Sequence, residues 1–130
     1  MNDQFKLYHP DFYYLLLNGS CVIGEIKQVS DMGLYKNWAK WKAMKNYCRE
    51  SGMGFLITDG KTAISDLLQK KINQSFRNEV MSNFGNSDLL EWDKVYELKE
   101  KYHLSMKDLA CFVLQEKIKW FQKPSRFIKS

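Results

Sequence analysis

Two carboxylates and one lysine near the start of the chain have the residue types and spacing of a hydrolytic metal site. Asp11 follows His9-Pro10, Glu25 comes after thirteen intervening residues, and Lys27 stands two positions further on. Carboxylate oxygens are preferred ligands of Mg²⁺ or Mn²⁺, which polarise a phosphodiester and activate water, and an ammonium stabilises the negative charge that develops. The pattern predicts phosphodiester hydrolysis, with Asp11, Glu25 and Lys27 as catalytic residues and Asp11 and Glu25 as metal ligands. The alternative is that Pro10-Asp11 only begins a strand, and that Glu25 and Lys27 only belong to the solvated face of a strand.

A β-hairpin must bring the two acids together. Residues 12–17 and 21–26 are apolar runs on either side of Asn18-Gly19, which is typical of two strands and a turn. Because neighbouring side chains point to opposite faces, a two-residue loop would pair Phe12 with Glu25 and send Asp11 to the other face. A three-residue loop over 17–19, with Gly19 left-handed, would place Asp11 opposite Glu25. We expect the three-residue loop or an equivalent bulge.

A basic helix over about residues 35–50 and an apolar strand over 55–58 are predicted to follow the hairpin. Five apolar positions recur at three- and four-residue steps and are expected to pack on the sheet: Leu34, Trp38, Trp41, Met44 and Cys48. Lys36 and Lys40 lie one turn apart near the helix start, where they would face the scissile phosphate. Lys42, Lys45 and Arg49 form a second stripe, which either contacts DNA phosphates or is only a solvated face.

These motifs resemble the PD-(D/E)XK nuclease superfamily, and within it the TnsA-type transposon endonucleases and small phage head-completion nucleases. The matching segments lie within about residues 8–60: Tyr8-His9-Pro10-Asp11-Phe12, Glu25-Ile26-Lys27, Asn37-Trp38-Ala39-Lys40-Trp41, Tyr47-Cys48 and Phe55-Leu56-Ile57-Thr58-Asp59. The resemblance implies a restriction-endonuclease-like core and a Mg²⁺-dependent DNA endonuclease of phage or transposon type. In such an enzyme Asp11 and Glu25 would hold the metal, Lys27 would assist the attacking water, and Lys40 matches a recurrent helix lysine.

One departure from the family leaves three alternatives open. The family carries a further acidic residue on a helix before the Pro-Asp strand, and only ten residues precede Asp11 here. The chain is then a minimal enzyme, or receives the acid from elsewhere, for example from a second copy in a homo-oligomer, or keeps the scaffold without cutting. In the last case it would be a catalytically inactive binding protein that docks on DNA or on a host or phage protein such as RNA polymerase.

From residue 61 onward the sequence is predicted to be mainly α-helical. One apolar stripe runs over residues 64–80, and Asp88 with Glu91 and Ser105 with Asp108 have the spacing of capping boxes that open two further helices. The last two helices, joined around residues 102–105, resemble a helix-turn-helix whose second helix would expose Met106, Lys107, Gln115 and Lys119. An antiparallel helical hairpin has the same spacing. The predicted fold is therefore α/β, with a small mixed sheet and a basic helix in residues 1–60 and a helical region in 61–130.

The final segment interleaves cations with aromatic residues. Lys123 and Arg126 stand among Trp120, Phe121 and Phe127, a composition that suits nucleic acid or an acidic protein groove. The alternative is that the aromatic side chains pack back onto the helices. The full set of predicted DNA-binding residues is Lys36, Lys40, Lys42, Lys45, Lys107, Lys119, Lys123 and Arg126.

Composition agrees with a folded protein that approaches a polyanion. Hydrophobic residues make up 45% and aromatic residues 15% of the chain, which excludes a disordered class, and the net charge of +5 favours nucleic acid as a partner. The three cysteines stand outside any paired motif, so we expect free thiols in a reducing cytoplasm. The sequence has no apolar run of membrane-spanning length, and no membrane partner is expected.

Overall fold

The computed structural model describes residues 11–129 and has a mixed α/β fold, as predicted. The first sheet contains β1 (Phe12–Leu15), β2 (Cys21–Ile26) and β3 (Gly54–Thr58). The second contains β4 (Leu89–Glu91), β5 (Lys119–Phe121) and β6 (Arg126–Ile128). The helices are α1 (Tyr35–Glu50), α2 (Ile64–Gln69), α3 (Gln74–Phe84), α4 (Trp92–Lys101) and α5 (Met106–Glu116). Tyr8, His9 and Pro10 of the first predicted motif lie outside the described residues.

The hairpin has the predicted three-residue loop. Strands β1 and β2 are antiparallel, with Leu15 opposite Cys21 and Phe12 opposite Gly24. The Leu16 N–H donates to the Ser20 carbonyl at 2.7 Å, and Gly19 has φ of +87°, a backbone conformation that glycine adopts without strain. The expected register is confirmed, and it brings Asp11 to the end of β2 that carries Glu25.

Helix α1 connects β2 to the parallel strand β3 and begins and ends where the sequence predicted. Leu34, Trp41 and Cys48 are buried, as expected for the face that packs on the sheet. A 3₁₀ turn, Val29–Gly33, leads from β2 into the helix and buries Met32. This crossover places the first turns of α1 beside the end of β2.

The second half departs from the prediction in two places. The apolar stripe over residues 64–80 is split into α2 and α3, and the Asn73 side chain accepts from the Phe76 N–H to begin α3. The capping box at Asp88 and Glu91 is wrong, because residues 89–91 pair with β6 as a strand and α4 begins only at Trp92. The capping box at Ser105 and Asp108 is confirmed by reciprocal hydrogen bonds of 3.2 and 2.8 Å.

The final segment folds as a β-hairpin, which the sequence reading did not predict. Strand β6 lies between β4 and β5, and both pairings are antiparallel. Trp120 and Phe127 are opposite one another in the ladder and buried, so the prediction that these aromatics pack back onto the protein is confirmed.

Helix α5 lies in the centre of the hydrophobic core and cannot serve as a groove-reading helix. Residues 109–114 are all buried, and the Gln115 side chain donates to the carbonyls of Leu67 and Lys70 at the end of α2. Lys119 belongs to β5. Of the residues predicted to be exposed on this helix, Met106 is exposed, whereas Lys107 and Gln115 are partly buried. The prediction is wrong for most of the helix length, because the apolar residues 109–114 cover its circumference. Both hydrophobic clusters of the core combine residues from either side of position 60.

Candidate functional site

Glu25 is the central charged residue of the first sheet. The residue is only 8% exposed, and it lies on the face of β2 that α1 covers. Its Oε1 accepts from the Lys40 ammonium at 2.9 Å, and its Oε2 accepts from the indole N–H of Trp41. A buried carboxylate requires such partners, because desolvation of an unpaired charge costs several kcal/mol. Helix α1 therefore supplies both side-chain donors to Glu25.

Asp11 lies at the same end of the sheet, immediately before β1. Its N–H donates to the Gly24 carbonyl at 3.1 Å, and its Oδ2 accepts from the Ile26 N–H at 2.7 Å. The side chain thus satisfies a backbone donor at the end of β2, while the residue as a whole is exposed. The structure brings Asp11 next to the backbone on both sides of Glu25, but the two carboxylates bind different donors.

Lys27 follows β2 directly and is partly exposed. Its N–H donates to the Thr58 carbonyl at 3.0 Å, a bond that belongs to the last pair of the ladder, Ile26 with Thr58. Lys27 lies one residue past the end of β2 and two positions after Glu25. All three predicted catalytic residues are therefore grouped at one end of β2.

A patch of cations and aromatic rings lies around the start of α1. The Lys119 ammonium is 5.2 Å from the centre of the Tyr35 ring, and the Arg126 guanidinium is 4.9 Å from that of Phe121. The two rings touch, with centroids 5.2 Å apart. Lys36 and Lys123 line one groove beside them. We call this set the basic-aromatic patch: Lys36, Lys119, Lys123, Arg126, Tyr35 and Phe121.

The other predicted DNA-binding residues are spread more widely. Lys42 and Lys45 are exposed on α1 and line a separate cleft, whereas Lys40 is bonded to Glu25. Lys107 is partly buried in the first turn of α5, where its charge contributes to the field at Asp59. The N–H groups of Thr62 and Lys61 are the main reason that the pKa of Asp59 is lowered. The structure therefore groups Lys36, Lys119, Lys123 and Arg126 and leaves Lys107 outside that group.

The side chains at the end of β2 that could coordinate Mg²⁺ or Mn²⁺ are two carboxylates. Mg²⁺ retains several waters and is usually held by one or two carboxylates, and Asp11 and Glu25 supply two. The Lys40 ammonium occupies Oε1 of Glu25, so a metal ion at that oxygen would have to replace it. Within residues 11–129, no group of three or more His, Cys, Asp or Glu side chains is arranged to hold a metal ion, so an all-protein cage is not formed there.

Two features of this site were not predicted from sequence. Trp41 was expected to pack in the core, and its indole N–H was not recognised as a donor to Glu25, although Trp41 follows Lys40 directly on the helix. The contact of β5 with the start of α1 was missed because β5 belongs to a sheet formed by distant segments. The alternation of cations and aromatics in the final segment was the available signal.

Comparison with protein-family models, with curated proteins and with solved structures found no match to this chain. In residues 11–129, no helix combines the length and the apolarity needed to cross a bilayer. Function must therefore be argued from the geometry and charge of the site itself.

Proposed function

We propose that this chain is a metal-dependent DNA endonuclease that hydrolyses phosphodiester bonds in a reducing cytoplasm. The observation that carries the proposal is the hairpin register, which sets Asp11 and Glu25 at one end of β2 with Lys27 beside them. Free cysteines at positions 21, 48 and 111 agree with the reducing compartment.

In this mechanism the protein would contribute two oriented carboxylates, Asp11 and Glu25, with lysine residues around them. The Ile26 N–H fixes one oxygen of Asp11, and the Trp41 N–H fixes one oxygen of Glu25, so each acid is oriented before substrate arrives. Asp11 and Glu25 would hold Mg²⁺ or Mn²⁺, which when bound supplies Lewis-acid polarisation of the phosphate and a more acidic water. Lys27, two positions after Glu25, stabilises negative charge.

The basic-aromatic patch would bind the DNA backbone next to this pair. Lys36 lies one helical turn before Lys40, whose ammonium contacts Glu25, so the patch and the acids are joined along α1. Each phosphate contact releases condensed counterions and makes binding salt-dependent. Tyr35 and Phe121 offer rings on which an unpaired base could stack.

The test is plasmid nicking with Mg²⁺ or Mn²⁺ by wild-type protein and by Glu25→Gln, Asp11→Asn and Lys27→Met. Each change keeps side-chain size, and each should reduce the cleavage rate by at least about 100-fold, because metal and charge stabilisation are each worth several kcal/mol. Glu50→Gln, at the exposed end of α1, is the control that should cleave normally. Equal cleavage by wild type and Glu25→Gln would contradict the proposal.

A second candidate function is binding without cleavage. It is favoured by the engagement of both Glu25 oxygens by protein donors and by the exposed apolar side chains of the edge strand, Tyr13 at 73% and Leu15 at 78%. Such a strand suits docking on a protein surface, for example on RNA polymerase. Salt-dependent DNA binding with no cleavage in either metal would select this candidate.

A further inference from the structure

A cleft with a volume of about 390 Å³ lies between α1, β3 and α2. Its size is within the range of about 300–1,000 Å³ that is usual for small-molecule sites. Phe55 and Ile57 of β3 line its floor, and Trp38 lines one wall. Leu68 of α2 lines the other wall and is half exposed, so the cleft opens to solvent at that point.

The charge at this cleft has one sign. Lys42 and Lys45 line it from α1, and neither an aspartate nor a glutamate is among its lining residues. Neither lysine forms an ion pair with any residue in the described part of the chain. Two cations at the mouth of an apolar cleft favour a ligand that has an apolar body and an anionic head.

We propose that this cleft binds a small amphiphilic anion, with a medium-length acyl or alkyl body between Trp38 and Leu68 and a carboxylate or phosphate head at Lys42 and Lys45. A nucleotide fits less well, because the neutral polar groups on the side chains that line the cleft are the Ser65 hydroxyl and two indole N–H groups, and the N–H of Trp41 already donates to Glu25. The polar edges of a base would therefore be buried without hydrogen bonds, at a cost of about 1–3 kcal/mol for each unsatisfied group.

Trp41 makes binding observable by a signal that is independent of catalysis. Its ring lines the cleft, while Trp92 and Trp120 stack on one another in the other hydrophobic cluster. In an ¹⁵N–¹H spectrum the chain gives four indole N–H signals, one for each tryptophan. A ligand in the cleft should shift the signals of Trp38 and Trp41 and leave those of Trp92 and Trp120 in place.

The experiment titrates the full chain with octanoate, octyl phosphate, 1-octanol and adenosine monophosphate, by calorimetry and by the indole signals. We expect saturable binding of octanoate or octyl phosphate, and at least about tenfold weaker binding of the alcohol and of the nucleotide. The relative affinity of octanoate and octyl phosphate identifies the head group. Absence of saturable binding by both anions, or tighter binding of the nucleotide, would overturn the proposal.

Charge variants test the position of the head group. Lys42→Gln/Lys45→Gln should weaken octanoate binding by at least about tenfold, and the control Lys71→Gln, an exposed lysine outside the cleft, should bind as wild type. Leu68→Glu places a like charge at the opening and should abolish binding, whereas the neutral Leu68→Gln should retain more of it. Unchanged affinity in the double lysine variant, or equal affinity in the two Leu68 variants, would overturn the assignment of the site. Circular dichroism establishes that each variant is folded.

Discussion

The Lys40 ammonium lies 2.9 Å from Oε1 of Glu25, and the neighbouring Trp41 donates its indole N–H to the other oxygen of the same carboxylate. Glu25 is almost fully buried, while the Lys40 side chain is 42% exposed, so water screens only one end of the pair. Both oxygens of the Glu25 carboxylate therefore have a donor on α1, and the donor at Oε1 is the one that solvent reaches.

The first prediction concerns stability at this pair. Lys40→Met should lower the free energy of unfolding by about 1–2 kcal/mol, since it leaves a buried carboxylate with a single donor while the partial exposure of Lys40 reduces the loss. The double variant Lys40→Met/Glu25→Gln should recover part of that loss, because no buried charge remains. Urea unfolding measures the free energy of unfolding of both variants, and Lys42→Met, on the exposed face of α1, is the control. A Lys40→Met protein as stable as wild type would show that the pair is not a structural requirement.

The second prediction concerns the register of the hairpin. Gly19→Ala should cost about 1 kcal/mol, because the added Cβ meets no atom within 4 Å and the penalty arises only from the positive φ. Deleting Asn18 should also affect cleavage, since a two-residue loop reverses the faces of β1 and removes Asp11 from the site. We expect cleavage to be lost with the deletion and retained by Gly19→Ala. Gly52→Ala, at another positive φ, is the stability control. Cleavage by a folded deletion variant would contradict the role given to the register.

The third prediction concerns DNA binding at the basic-aromatic patch. Lys36→Gln and Lys123→Gln should each weaken binding and reduce the slope of log affinity against log salt by about 0.9. Fluorescence anisotropy with a labelled duplex at several salt concentrations measures the slope. Lys71→Gln is the matched control, because it removes the same charge elsewhere. If all three variants shift affinity equally, net charge rather than the patch determines binding.

The fourth prediction concerns acid unfolding. Burial raises the pKa of Asp108, but the Ser105 N–H and hydroxyl and the Lys70 ammonium at 2.9 Å outweigh it, so the pKa lies below its ordinary value of 3.8. A lowered pKa in the folded state stabilises the protein above the pKa of the unfolded state, and the contribution is lost as pH falls below 3.8 and through the folded value. Thermal unfolding of Asp108→Asn should therefore show less pH dependence in that range than wild type.

The control for this prediction is Asp88→Asn. Asp88 is exposed, and its carboxylate makes no hydrogen bond with a residue in the range 11–129. Its variant should follow the wild-type acid curve. An Asp108→Asn protein that also follows that curve would remove Asp108 from the account of acid stability.

The parts of the fold that were predictable have local signals. The hairpin follows from the Asn18-Gly19 turn and the apolar runs on either side of it, and α1 follows from apolar residues at three- and four-residue steps. The second sheet has no such signal, because three-residue strands are too short to display a period, and Leu90 pairs with Phe127 far along the chain. At the site, the residue types and the register were predictable from the sequence. The donors to Glu25 were not, because they depend on how α1 packs against the sheet.

Metal binding by Asp11 and Glu25 can be tested directly by titrating ¹⁵N-labelled protein with Mn²⁺, whose unpaired electrons broaden nearby signals. If Asp11 and Glu25 hold the ion, the Ile26 amide and the Trp41 indole N–H should broaden first, since these groups donate to the two carboxylates. The Trp92 and Trp120 indole signals should remain sharp, and Asp11→Asn/Glu25→Gln should remove the effect. Broadening elsewhere, or none at Ile26 and Trp41, would contradict a metal site at this end of the sheet.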